Sequence, residues 1–278
     1  MTLPQVTLSD GTTLPAIVFG TYKLNGASGV EAMKNAIDVG YTGLDSAFNY
    51  ENEGALGRAL RECGHKREDL RISSKLPGRH HAYDEALATI EESLYRADVE
   101  YYDIYFIHWP NPKVGKYVEA WKALIEARKR GYVRSIAVCN FLPEHLQRLQ
   151  DETGVLPSVN QIELHPYFPQ AEARAWHKKH HIVTQSWSPL GRANDILQNP
   201  VLNTIAQKLN KSISQVILRW HHQLECIPLP KASGRKHQIE NMSIFDFSLS
   251  DEDMKAIASL ARPDGRTFNQ DPSFYEEF

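Results

Sequence analysis

Cysteine is scarce in this 278-residue chain: Cys63, Cys139 and Cys226 stand far apart and form no CxxC pair. An odd, scattered set supports no disulfide framework and fits a reducing compartment. No apolar run approaches the ~18 residues that a membrane helix needs. The opening MTLPQVTLSDG lacks the basic and apolar segments of a secretion signal. The expected location is the cytoplasm, with no membrane partner. Charge of one sign is missing too: 31 basic against 34 acidic side chains give a net −3, which offers no field for nucleic acid. The basic stretch KALIEARKRG is one face of a helix pattern and makes no binding patch. Among motifs, GxSxG and HExxH are absent, and no GxGxxG follows the first strand-like run, where the sequence reads FGTYKLNG.

What is present is alternation. QVTLS and TTLPA flank the turn dipeptide Asp10-Gly11, an opening hairpin. Eight short apolar runs follow, at 17–21, 43–47, 70–76, 102–109, 133–140, 159–165, 183–188 and 226–230. They read as strands buried on both faces, the mark of a parallel sheet. Helix-period segments lie between them: VEAMKNAIDVG, GALGRALREC, DEALATIEESLYRA, VEAWKALIEARKRG, EHLQRLQDE and EARAWHKKH. Gly40, Gly64 and Gly131 fall where helices would end. LSDEDMKAIASLA reads as a capped extra helix before the tail DPSFYEEF. Eight βα units fit the about 250 residues of a (β/α)8 TIM barrel. The expectation is one α/β domain over 1–278, with the hairpin in front and the extra helix and tail behind. A doubly wound open sheet is the rival.

In such barrels chemistry sits at the C-terminal strand ends. There the sequence places Asp45, Lys75 and His108, with Tyr50 five residues after Asp45 in the following loop. A carboxylate, an amine, an imidazole and a phenol on one rim can tune the phenol as a proton donor. A nearby cation lowers a phenol's pKa, and Asp45 would hold Lys75 in place. Asn140 and Gln161 supply amides suited to a planar carboxamide such as nicotinamide, and Trp187 a flat stacking face. Of twelve histidines, only His177 and His181 have helical i, i+4 spacing, and no third ligand lies near them, so no metal is expected.

These segments resemble the aldo-keto reductases, in particular the bacterial 2,5-diketo-D-gluconate reductase-like branch, nearly end to end. GLDSAFNYENEGALGRAL, ISSKL, DIYFIHWP, RSIAVCNF, NQIELHPYFPQ, QSWSPLG and LPKASGRKHQIENMSIFDFSLSDEDM carry the likeness. It implies a carbonyl reductase in which Tyr50 gives the proton, Lys75 with Asp45 depresses its pKa, and His108 orients a small carbonyl substrate. NADPH is favoured over NADH. Its implied contacts are Gly20, Thr21, Tyr22, Cys139, Asn140, Gln161, Trp187, Ser188, Pro189, Leu190 and Gly191. Lys231, Ser233, Arg235, His237, Glu240 and Asn241 would surround the adenosine and its 2′-phosphate. Tyr22, Phe48, Pro77, Trp109 and Arg192 would form the substrate pocket, and the resemblance suggests a monomer.

Five departures qualify the likeness. Cys139 replaces the usual serine with a weaker hydrogen-bonding thiol, open to oxidation if it faces the cofactor. Pro77 replaces a tryptophan common among relatives, which opens the pocket. His237 replaces an arginine and weakens phosphate recognition. Arg192 replaces a glutamine of the close branch. Thr42-Gly43 replaces an Arg-His pair, with no consequence readable from sequence. Two other functions compete: a Schiff-base aldolase using Lys75, and a non-catalytic cofactor-binding module.

Overall fold

A computed structural model describes residues 3–193 and 195–278. Strands β1 (Gln5–Thr7) and β2 (Thr13–Pro15) pair antiparallel as the hairpin. Eight parallel strands follow: β3 (Phe19–Gly20), β4 (Gly43–Asp45), β5 (Arg71–Leu76), β6 (Tyr102–Ile107), β7 (Val133–Cys139), β8 (Val159–Glu163), β9 (Val183–Trp187) and β10 (Cys226–Pro228). They lie side by side in sequence order. The amides of Val18 and Gly20 then donate to the carbonyls of Pro228 and Pro230, at 3.1 Å each. These two bonds join the first strand to the last and close the (β/α)8 barrel.

Closure divides the apolar side chains. Leu8, Leu14, Val18, Ile104, Phe106, Ala137, Cys139, Val159, Ile227 and Leu229 form one core. It includes hairpin residues because the hairpin caps the N-terminal strand ends: Asp10 accepts from Ser135 at the start of β7 (2.6 Å), and Thr13 O from Arg71 at the start of β5 (3.1 Å). A larger core lies under α1 (Gly26–Val39), α2 (Glu53–Glu62), α3 (Tyr83–Ala97), α4 (Tyr117–Lys129) and α5 (Pro143–Thr153), where Val30, Met33, Ala36 and Ile37 of α1 are all buried. Gly40 caps α1, whereas Gly64 and Gly131 lie one residue beyond the capping Cys63 and Arg130.

The helix pattern read from sequence is incomplete. After α6 (Ala171–Lys179) come α7 (Pro200–Leu209), α8 (Ile213–Gln223) and α9 (Arg235–Met242), none of them expected, before the expected α10 (Asp251–Ala258). The first two carried start signals. Asn199 caps α7 ahead of Pro200, and Ser212 with Gln215 forms a capping box on α8.

Candidate active site

β4 and β5 are neighbours in parallel register, Asp45 opposite Ser73. Side chains alternate along a strand, so Lys75, two residues beyond Ser73, faces the same way. Its Nζ donates to Asp45 Oδ2 (2.5 Å) and to Ser46 O (2.6 Å). The other Asp45 oxygen accepts from Ser73 Oγ (2.8 Å) and Gln161 Nε2 (3.1 Å). Lys75 is 0% exposed. A buried ion pair needs such added bonds to offset its desolvation. Burial works most strongly against the Lys75 charge, but Asp45, Tyr50 and Cys139 together outweigh it and the ammonium's pKa is raised.

Tyr50 ends a 3₁₀ turn, Phe48–Tyr50, that leaves β4. Asn52 holds the turn from below. It is buried, accepts from Ser46 Oγ (2.6 Å) and donates to Thr21 O (2.8 Å) and Leu24 O (3.2 Å). Asn25 Nδ2 ties down the Tyr50 carbonyl at 2.9 Å. The phenol oxygen then lies 3.5 Å from Lys75 Nζ, with the His108 ring edge-on to the Tyr50 ring at 5.8 Å. The net shift of this phenol runs against the expected depression. Burial pushes Tyr50 up to about 12, with Lys75 pulling the other way.

A cavity of about 710 Å³ opens over this group. Asp45, Tyr50 and His108 line it, as do Gly20, Thr21, Tyr22, Asn140, Gln161, Trp187, Ser188, Pro189, Leu190, Lys231, Trp109 and Arg192. The amide side chains have defined polarity. Gln161 Nε2 donates to both Asp45 and Gln185 Oε1 (3.0 Å), so Gln161 offers an incoming group only its oxygen. Asn140 accepts from Trp187 Nε1 (2.8 Å) and donates to His108 O (3.1 Å), which locks the indole, the amide and the imidazole strand together.

Other expected members lie elsewhere. Cys139 is fully buried in the barrel core below the cavity, close enough to Lys75, Asp45 and Tyr50 to feel their charge, and does not line the wall; burial pushes its thiol well up. Phe48 is buried against Arg96 and His80, and Pro77 is buried; neither lines the cavity. Gly191, Ser233, Arg235, His237, Glu240 and Asn241 also lie off its wall. Ser233, Arg235 and His237 are exposed around the start of α9, where Arg235 pairs with Asp38 at 2.6 Å. Lys75 does not line the cavity and is a charged, doubly bonded ammonium, whereas a Schiff-base nucleophile must be a neutral amine that reaches substrate. His177 commits both ring nitrogens to Asn160 and Thr184 at 3.0 Å.

Residues the sequence did not name individually complete the site: Asn49, Asn52, Gln185 and, within the tail segment 274–278 expected to bear on the substrate, Glu277. Asn52 lies in the Tyr50-x-Asn-Glu run and was the readable one. Glu277 lines the cavity with Oε1 only 2.7 Å from His108 Nδ1.

The aldo/keto reductase family model matches residues 16–262. The chain is 46% identical to 2,5-diketo-D-gluconic acid reductase B of Corynebacterium sp. (strain SHS752001) over 99% of both chains. It is 38% identical to methylglyoxal reductase DkgA of Escherichia coli (strain K12) over 96% of both. Among solved structures, a variant of Gox0644 in complex with NADPH superposes with a TM-score of 0.94 at 39% identity, over 99% of this chain and 100% of that one.

Proposed function

The chain belongs to the aldo/keto reductase family, and from that premise we propose that it reduces aldehydes, α-dicarbonyls or keto sugars and sugar acids to alcohols with NADPH, Tyr50 giving the proton. The observation that carries the reading is the phenol of Tyr50 at a cavity wall, 3.5 Å from an ammonium that is itself fixed by Asp45.

The cavity's chemistry fits a nicotinamide cofactor. Gln161 presents a lone carbonyl oxygen to a carboxamide N–H, Trp187 a ring face, and 188–190 a loop for the pyrophosphate. Lys231 with Arg235 and Lys236 would meet the 2′-phosphate. When bound, NADPH supplies the hydride. The protein's share is geometry and proton delivery. His108 and Tyr50 orient the substrate oxygen. As negative charge builds on that oxygen, Tyr50 Oη gives up its proton, and the phenolate left behind is stabilised by Lys75. A phenol shifted up to about 12 keeps its proton at neutral pH. It therefore enters the reaction as an acid.

Substituting Tyr50→Phe tests this. Turnover with aldehydes should fall by about 10²–10⁴-fold, the typical contribution of a general acid. Cofactor binding, followed by quenching of tryptophan fluorescence, should persist. Retained turnover in Tyr50→Phe would remove the phenol from the mechanism.

A further inference from the structure

The last residues of the chain do more than cover the cavity. Glu277 N donates to Asn111 Oδ1 (3.1 Å) and Asn111 Nδ2 to Glu277 O (2.8 Å), a two-bond main-chain anchor. Glu276 accepts from Lys113 N at 2.7 Å, and Tyr275 packs on Trp109 with ring centroids 4.5 Å apart. These contacts already fasten the tail. The Glu277 side chain goes further, into the substrate side of the cavity, and is only 11% exposed. Its Oε1 accepts from Asn49 Nδ2 (2.9 Å) and lies 2.7 Å from His108 Nδ1, a buried atom that makes no hydrogen bond among the described residues. Its Oε2 accepts from the Gly78 amide at 3.1 Å. Arg79 fixes the Asn49 amide by donating to its oxygen at 2.6 Å. Gly78 is required here, because a methyl group would run into the Asn111 side chain and the Glu277 carbonyl.

The three groups facing Glu277 make a cradle suited to a carboxylate. Burial alone would favour the neutral acid, yet His108, Asn49 and Gly78 hold the carboxyl below the usual range, so the cradle holds an anion. We propose that Glu277 determines specificity: it fills an anion-receiving subsite of the substrate pocket with a carboxylate of the chain itself, so that uncharged carbonyl compounds are taken in preference to oxo acids. A carboxylate-bearing substrate entering here loses these donors to Glu277 and meets a like charge, an arrangement that costs affinity. The inference rests on the carbonyl-reductase reading and narrows it toward neutral aldehydes and dicarbonyls.

The test compares substrates that share one aldehyde and differ in one charge. These are succinic semialdehyde with its methyl ester, and 4-carboxybenzaldehyde with its methyl ester. Because Glu277 touches His108, absolute rates will move in any variant, and the ester-to-acid ratio of kcat/KM is the quantity read. The wild type should favour the esters. Glu277→Gln, and separately a chain ending at Tyr275, should lower that ratio by about tenfold or more. A ratio within twofold of wild type in Glu277→Gln, with both esters still reduced, would overturn the proposal and leave Glu277 as a tail anchor. An absence of NADPH oxidation with the esters in the wild type would instead overturn the reductase reading beneath it.

Discussion

At the scale of single residues, the site turns on how one ammonium is held. Lys75 has two roles, and losing both in one substitution gives two separate readouts. Lys75→Met leaves Asp45 buried without its cation, which costs about 3–5 kcal/mol; urea denaturation should show that loss. It also removes the charge that opposes the upward shift of Tyr50. With Tyr50 as the proposed proton donor, alcohol oxidation would need the phenolate and should rise with pH in the wild type, while carbonyl reduction would need the phenol and should stay level through the neutral range. In Lys75→Met the alkaline rise of oxidation should move to still higher pH. A rise that moves down, measured as kcat/KM against pH with NADP⁺, would show that Lys75 does not favour the phenolate.

Elements explain what sequence alone left silent. Thr42-Gly43 carried no readable consequence, but Gly43 opens β4 directly beneath the hairpin. A methyl group there would meet Pro15 Cγ at 2.8 Å and Val18 Cγ2 at 3.0 Å. Gly43→Ala should therefore cost about 1–3 kcal/mol by overpacking, seen as a lower denaturation midpoint with no change in slope. The eight strands were legible because each is a short apolar run buried on both faces. The gathering of Asp45, Tyr50, Lys75 and His108 was legible because each sits at the end of one of those runs or just beyond. Of the helices after β9, α7, α8 and α9 were not read, although Asn199-Pro200 and Ser212-x-x-Gln215 announced two of them. Glu277 was beyond reach for a different reason. It is 228 residues from Asn49, and no local pattern encodes which loop a tail meets. Cys139 points into the barrel like its register partner Gln161, but it is too short to reach the cavity and packs in the core below, while Asn140, just past the strand end, lines the cavity.

Taken whole, the barrel has one join unlike the others. Neighbouring strands pair along ladders, whereas among the described residues the two ends of the sheet are joined by the Val18 and Gly20 amides, at and just before β3, bonding Pro228 and Pro230. The cavity runs over this join: Gly20, Thr21 and Tyr22 line it from one side, Leu229, Pro230 and Lys231 from the other. A molecule lying there touches both ends of the sheet at once. NADPH at 100 times its Kd should add about 2.7 kcal/mol of stability by mass action. That gain should be unevenly spread. In hydrogen exchange, the Val18 and Gly20 amides should gain more protection than the amides between β6 and β7, and equal protection would refute the idea. In that sense the cofactor serves as a clasp, and a barrel that has lost its grip on the nucleotide should come apart first where its sheet begins and ends.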